Sequence, residues 1–382
     1  MKNKPLLTIF LVVFIDLLGF GIIIPILPYY AVSFDASPTV LGWLMMSYSA
    51  MQFLFSPFWG RLSDRIGRRP VLLICIAGIG ASMFLLGMAQ SLVWLFAARI
   101  LAGFFGANIS AASAYIADIT KPEERAKGMG LIGAAFGLGF LFGPAAGGLL
   151  SEWGYGTAAY VAAGLSAINW IFAFFVLREP AVSREIRAQH RTKLARVFIM
   201  QTLKTPKVGT AIFLFFLVTF GMAQIEMSFA LFVLERFHLG AMEAGLILAL
   251  MALVMALFQG TGIGKMARLM GEKKLILHGC FLMAVAVAAA ALVPGLGIFV
   301  FFVAVHALGY GMTTPSLSSL VSRNSSAEIQ GGALGIYQSA GSLGRILGPL
   351  LGGVLFDRLG APFPFLSASL FFAVAFILAL RE

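Results

Sequence analysis

The chain is a succession of long apolar runs, each carrying little or no charge and most joined by short polar connections. Crossing a hydrocarbon layer of about 30 Å takes about 20 apolar residues as an α-helix. A membrane-spanning strand would instead alternate apolar and polar side chains. The runs fall at roughly 6–31, 40–60, 70–89, 92–115, 128–150, 157–177, 209–234, 242–264, 274–293, 296–320, 330–355 and 361–380, and the pattern predicts twelve helical spans. Only 11% of the residues are charged and mean hydropathy is +0.95, against roughly 25% charged in soluble domains. Such a chain cannot build a water-facing surface.

Charge placement orients the spans. The formal charge of +11 would point to nucleic acid in a soluble protein, but 23 of the 27 Lys and Arg fall in one alternating set of loops and termini. That asymmetry predicts both termini on the cytoplasmic side of a cell (inner) membrane, with the lipid bilayer rather than nucleic acid as the partner of the basic segments. The first apolar run is longer than the ~7–15 residues of a secretory signal and holds Asp16 in its middle, so a retained span is expected. The two cysteines and four histidines (His190, His238, His278 and His306) show no metal-ligand spacing. No metal, no organic cofactor and no enzyme chemistry is expected from them.

The only long polar stretch, at 179–207, separates an expected bundle at 1–178 from another at 208–382. The halves repeat one another. Gly139-Phe-Leu-Phe-Gly143-Pro144-Ala-Ala-Gly147-Gly148 recurs 205 residues on as Gly344-Arg-Ile-Leu-Gly348-Pro349-Leu-Leu-Gly352-Gly353, and Gly60–Gly67 recurs 204 residues on as Gly264–Gly271. The expected architecture is therefore an all-α membrane protein of twelve transmembrane helices in two pseudo-symmetric, parallel six-helix bundles, as in one class of secondary transporter. A monomer is expected.

The loop Gly60-Arg-Leu-Ser-Asp64-Arg65-Ile-Gly67-Arg68-Arg69 resembles the cytoplasmic signature of the major facilitator superfamily. Gly60 permits close helix approach and Gly67 a tight reversal, Asp64 is placed to cap or dock on a neighbouring helix terminus, and Arg65, Arg68 and Arg69 hold the loop at the headgroups. The second copy lacks the acid at the matching position. The Gly-Pro-Gly-Gly string is similar to the antiporter motif of that superfamily; by itself it describes a helix face built for close packing, bent at its proline.

Asp16 in FIDLLGFGIIIPILPYY and Arg99 in ARILAGFFGA are charges inside spans. Each costs ~2.5–3.5 kcal/mol on insertion scales, and their depths allow mutual approach. They are the expected proton-coupling pair, the proton being the coupling ion. Glu226, Gln224, His306, Asn108, Gln52 and Arg345 are candidate cavity or relay groups, with Arg345 placed to pair with Glu226; Asn169 and Gln259 are further neutral donors. The stretch 99–148, with AYIADITKPEERAKGMG, resembles the tetracycline-efflux branch of the drug:proton antiporters. That branch implies further acids and a histidine where this chain has the Met83–Phe84 region, Met283 and Met255, none of which can bind a metal–tetracycline chelate as a carboxylate or imidazole would. The resemblance implies proton-coupled efflux of a lipophilic or cationic small molecule by alternating access. A lipid or lysolipid flippase, or a uniporter on the same scaffold, is the alternative.

Overall fold

The computed structural model describes residues 4–120, 125–180, 202, 205, 207–325 and 330–381. Lys2, Lys121 and most of the 179–207 linker lie outside the described residues. Among the described residues all regular structure is helical: α1 (Lys4–Val32), α2 (Pro38–Ile66), α3 (Arg68–Gly87), α4 (Leu92–Phe105), α5 (Ile109–Ile119), α6 (Arg125–Leu150), α7 (Tyr155–Val176), α8 (Val208–Phe237), α9 (Ala241–Leu257), α10 (Ile263–Leu292), α11 (Leu296–Arg323), α12 (Gln330–Leu359) and α13 (Pro362–Arg381). A 3-10 turn, Gly106–Asn108, joins α4 to α5, and a π-turn, Phe258–Gly262, joins α9 to α10.

Among the described residues ten stretches are long and apolar enough to cross a membrane. One of them, Ala241–Leu292, is 52 residues long, or about 78 Å at 1.5 Å per residue. That length suffices for two crossings and is broken by a non-helical Gly271. Pro38–Ile66 has the length but not the apolarity, because Ser47, Ser49 and Gln52 interrupt its apolar run.

Two compact units emerge, one of Met1–Ala36, Ser47–Arg191 and Gly240–Ala249, the other of Ser37–Met46, Thr192–Leu239 and Leu250–Glu382. In the first, α1 packs on α6 and α7, and α3 packs on α4 and α7. Ile9, Val12, Val13 and Leu17 meet Leu72, Cys75 and Ile76 in its core, with Tyr115 and Ile116 of α5. In the second, α8 packs on α12 and α13, and α10 on α11 and α13. Cys75 and Cys280 are both buried free thiols, one in each unit, as small apolar packing residues would be.

The doubled glycines of the repeat serve two neighbours each. Successive helical residues point about 100° apart at 3.6 residues per turn. A Cβ added to Gly139 would lie 2.9 Å from the Leu17 side chain, and one on Gly143 2.6 Å from the Gly21 backbone; Gly147 is pressed against Ile22. Gly148, one residue further round, faces the carbonyls of Ala241 and Met242. The second unit repeats this arrangement. Gly344 and Gly348 abut Phe220, and Gly352 abuts Gln224. Gly353 faces the Pro38 carbonyl, Gly42 faces the Pro349 carbonyl, and Thr39 Oγ1 donates to Asp357 Oδ2 at 2.6 Å. These contacts group the first turns of α2 with the second unit and those of α9 with the first, so the compact units do not follow the sequence halves 1–178 and 208–382 at those two places.

Gly137, on the same helix as the stripe, has nothing within 4 Å of an added Cβ. Gly143→Ala is therefore expected to lower the midpoint of thermal unfolding in detergent by overpacking of about 1–3 kcal/mol. Gly137→Ala should leave it unchanged or raise it, since alanine is the better helix former by ~0.8–1.0 kcal/mol.

Candidate functional site

The first unit gathers its intramembrane polar groups around the 3-10 turn between α4 and α5. Asn108, the last residue of that turn, donates from Nδ2 to Asp16 Oδ2 at 3.0 Å. Asp16 Oδ1 is buried with no hydrogen-bond partner. Beside it lies a cavity of about 10 Å³ bordered by Asp16, Asn108, Leu17 and Leu72, room for about one water molecule. Gln52 of α2 donates to the Gly106 carbonyl at 2.8 Å. That contact joins α2 to the turn between α4 and α5. Gly103 and Gly106 allow this approach: a Cβ on Gly106 would stand 2.8 Å from the Tyr48 hydroxyl.

Arg99 does not sit where the sequence reading placed it. No ion pair joins it to Asp16. Its guanidinium lies 4.3 Å from the centroid of the Tyr48 ring and 5.9 Å from that of Phe20, an arrangement worth ~0.5–2 kcal/mol. Depth along a helix is readable from residue counts, but the direction a side chain faces around the bundle is not. Asn108, grouped in the sequence with general hydrogen-bonding candidates, is the group that engages the acid. Asn169 is also committed to structure, donating to the Val12 carbonyl at 2.9 Å.

In the second unit, Tyr310 of α11 lies within electrostatic reach of both Glu226 of α8 and Arg345 of α12. All three are half-buried, and Arg345 also donates to Ser342 Oγ at 3.2 Å. The acid, the cation and the phenol thus come from three helices to one neighbourhood; the sequence named the two charges and missed the tyrosine. Gln224 is fully buried beneath Gly352, and neither atom of its amide finds a partner. His306 is buried against Phe372, with Nε2 3.3 Å from Met222 Sδ and Nδ1 unpartnered. Both lie among packed helices, unlike the half-buried group around Tyr310. Among the described residues no three His, Cys, Asp or Glu side chains cluster to hold a metal ion.

The Gly60–Arg69 loop carries a dense ionic network. Gly67 adopts φ 110°, a conformation that side chains resist, and so lets α3 start abruptly at Arg68. The new helix has unpaired first-turn amides. Glu179, just beyond α7, accepts from the backbone N–H of Arg68 at 2.8 Å and of Arg69 at 2.7 Å. The Arg68 guanidinium reaches Asp118 at 3.0 Å, Asp64 at 2.7 Å and Ser63 Oγ at 2.6 Å. Arg69 donates to the Phe174 carbonyl and lies over the Phe174 ring, while Arg65 is exposed. Tyr115 donates to the Arg178 carbonyl at 2.8 Å and steadies the segment that carries Glu179. The capping acid is thus Glu179. Asp64, expected to cap a neighbouring helix, is held by Arg68 at the end of its own. Gly60 has open space around it rather than a close neighbour.

A chain of membrane-crossing helices in two repeated units, with charges inside the spans, has the organisation of a polytopic transporter. The family model of the Major Facilitator Superfamily matches residues 9–296 and 229–382, and the chain belongs to that superfamily. It is 32% identical over 360 residues to the class D tetracycline resistance protein of Salmonella ordonez, covering 93% of this chain and 90% of that one. To multidrug resistance protein 2 of Bacillus subtilis (strain 168) it is 30% identical over 369 residues, covering 94% and 92%. A bacterial homologue of the human lysosomal transporter Spinster, solved inward-facing and unoccupied, shares the fold with a TM-score of 0.82 at 15% identity, covering 100% of this chain and 96% of that one.

Removing the cap should be measurable. Glu179→Gln is expected to cost about 0.5–2 kcal/mol, as loss of a helix N-cap does, seen as a lower unfolding midpoint. Arg65→Gln, on an exposed side chain of the same loop, should shift it by less than about 0.5 kcal/mol.

Proposed function

We propose that the protein is a proton-driven exporter of lipophilic or cationic drugs, residing in the inner membrane and working by alternating access. Asp16 takes up and releases the coupling proton. The observation that carries this reading is the half-satisfied state of that carboxyl: Asn108 engages Oδ2, whereas Oδ1 is buried, unpartnered and next to space for one water. An amide N–H can donate to Oδ2 whether or not the acid is protonated, and Oδ1 is the atom that remains to carry the proton. A buried acid locked in an ion pair would have far less freedom to change charge.

Charge at this position has the leverage to bias conformation. An ionised aspartate in the middle of a span costs ~2.5–3.5 kcal/mol, and each ~1.4 kcal/mol is a tenfold change in an equilibrium. Gaining or losing the proton can therefore move the balance between a shape that hydrates Asp16 and one that does not by about two orders of magnitude. Coupling follows if substrate and proton favour different shapes.

The curated relatives include a tetracycline resistance protein and a multidrug resistance protein, and these names support drugs as the substrate class. Met83 and Met283 are fully packed and offer no metal ligand, which favours the multidrug over the metal–tetracycline reading. Half-buried Glu226 supplies an acid for a cationic substrate, with Tyr310 beside it.

Ethidium efflux from proteoliposomes under an imposed pH gradient tests this assignment. Asp16→Asn is expected to abolish gradient-driven efflux while ethidium binding persists. Efflux at the wild-type rate without any gradient would instead favour a uniporter or flippase on the same fold.

A further inference from the structure

Two side chains of α2 close on the 3-10 turn that carries Asn108. Trp59 donates from Nε1 to the Phe104 carbonyl at 2.6 Å, and Gln52 donates from Nε2 to the Gly106 carbonyl at 2.8 Å. The two donors stand about two helical turns apart in sequence, so they share one face of α2. Gly103 and Gly106 let that face come close. An alanine at Gly103 would meet the Tyr48 carbonyl and the Met51 side chain, and one at Gly106 the Tyr48 hydroxyl. The chain entering the turn is thus gripped at two carbonyls just ahead of Asn108.

We propose that Trp59 and Gln52 are positioning residues for the Asp16 carboxyl: by holding the carbonyls of Phe104 and Gly106 they fix where the Asn108 amide meets the acid. Their role depends on the proton function proposed for Asp16 and extends it to two residues that act through Asn108. A 3-10 turn has poorer hydrogen-bond geometry than an α-helix, so a short one holds a side chain less firmly by itself. The tolerance is small. Asn108 Nδ2 lies 3.0 Å from Asp16 Oδ2, and a retreat of about 1 Å would take it beyond hydrogen-bonding distance. Trp59 is 3% exposed, and its ring lies 5.3 Å from that of Phe104 and 5.8 Å from that of Phe105. Its N–H therefore reaches the carbonyl from a fixed platform. The Phe105 ring is in turn seated on Gly78 of α3, where an added Cβ would collide with it. α2 and α3 together grip the end of α4. Aromatic packing alone would not require an N–H aimed at the Phe104 carbonyl, and Gln52 reaches the second carbonyl with no ring at all.

Infrared spectroscopy of the full chain in lipid nanodiscs, at a pH low enough to protonate Asp16 and with Asp16→Asn as the blank, reads this positioning. With the proton on Oδ1, Oδ2 is the carbonyl oxygen that accepts from Asn108, and its stretching band moves to higher frequency when that bond is lost. Asn108→Ala sets the full shift. Trp59→Phe keeps a ring and removes the N–H; Gln52→Met keeps the length and removes the amide. Each should move the band in the same direction as Asn108→Ala and by no more than it. Adding either to Asn108→Ala should move the band no further, because the effect runs through that amide. Phe55→Leu is the packing control. The Phe55 ring lies 4.6 Å from that of Phe104, and its loss should lower the unfolding midpoint but leave the band in place. A band at its wild-type position in Trp59→Phe or Gln52→Met, while Asn108→Ala shifts it, would overturn the assignment. So would a further shift in either double variant, or a shift in Phe55→Leu equal to that in Trp59→Phe. Gradient-driven efflux that persists in Asp16→Asn would instead sink the proton role itself, and this assignment with it.

Discussion

An acid buried within the first lipid-spanning helix sets the terms for the rest of this molecule. Asp16 costs several kcal/mol to keep charged at that depth, and among the described residues no ion pair neutralises it. The fold meets the acid with one amide from a helix that breaks its own regularity. The 3-10 turn at Gly106–Asn108 carries Asn108 to Oδ2 and leaves the Gly106 carbonyl to be taken up by Gln52. The local irregularity and the buried charge are thus parts of one arrangement, and a 3-10 interruption within a span is a natural place for movement.

Close packing of glycine faces provides the frame for that arrangement. Three glycines spaced four apart let α6 lie directly on α1, with Gly21 on the opposing face. The extra glycine of each Gly-Gly pair serves a second neighbour about 100° round the helix. Because lipid supplies no hydrophobic drive between helices, such backbone-to-backbone contact is a main source of cohesion in a membrane bundle. The same arrangement recurs on α12 against α8, so the antiporter-type motif has a complete packing explanation in both units.

Much of the fold was legible because the signals are long. Runs of 20 apolar residues and a 205-residue repeat survive any uncertainty about single side chains. The site was legible only in part. Asp16, Asn108, Glu226 and Arg345 stood out as polar groups in apolar surroundings, but partners were misassigned: Arg99 turned out to lie on Tyr48 and Phe20, and Asn108 to hold the acid. One residue round a helix is about 100°, and nothing in a single sequence reports which way a span is rotated. Glu179 was missed because a carboxylate in a basic loop looks like ordinary surface charge. A tight reversal at Gly67 was expected, yet the helix start it creates was not, and Asp64, the nearer residue in sequence, was read as the acid that caps or docks on a helix terminus. Tyr310 was overlooked because a phenol in a span is unremarkable until the charges on two other helices converge on it.

The proposed export requires the Asp16 carboxyl to change charge in step with substrate. Infrared difference spectroscopy of the purified protein in lipid, at fixed pH and with Asp16→Asn as the blank, reads that carboxyl directly. Under the proposed antiport, in which substrate and proton favour different shapes, adding a transported lipophilic cation should reduce a protonated-carboxyl band that the Asn variant lacks. A band assigned to Asp16 that stays constant through substrate binding would contradict the account.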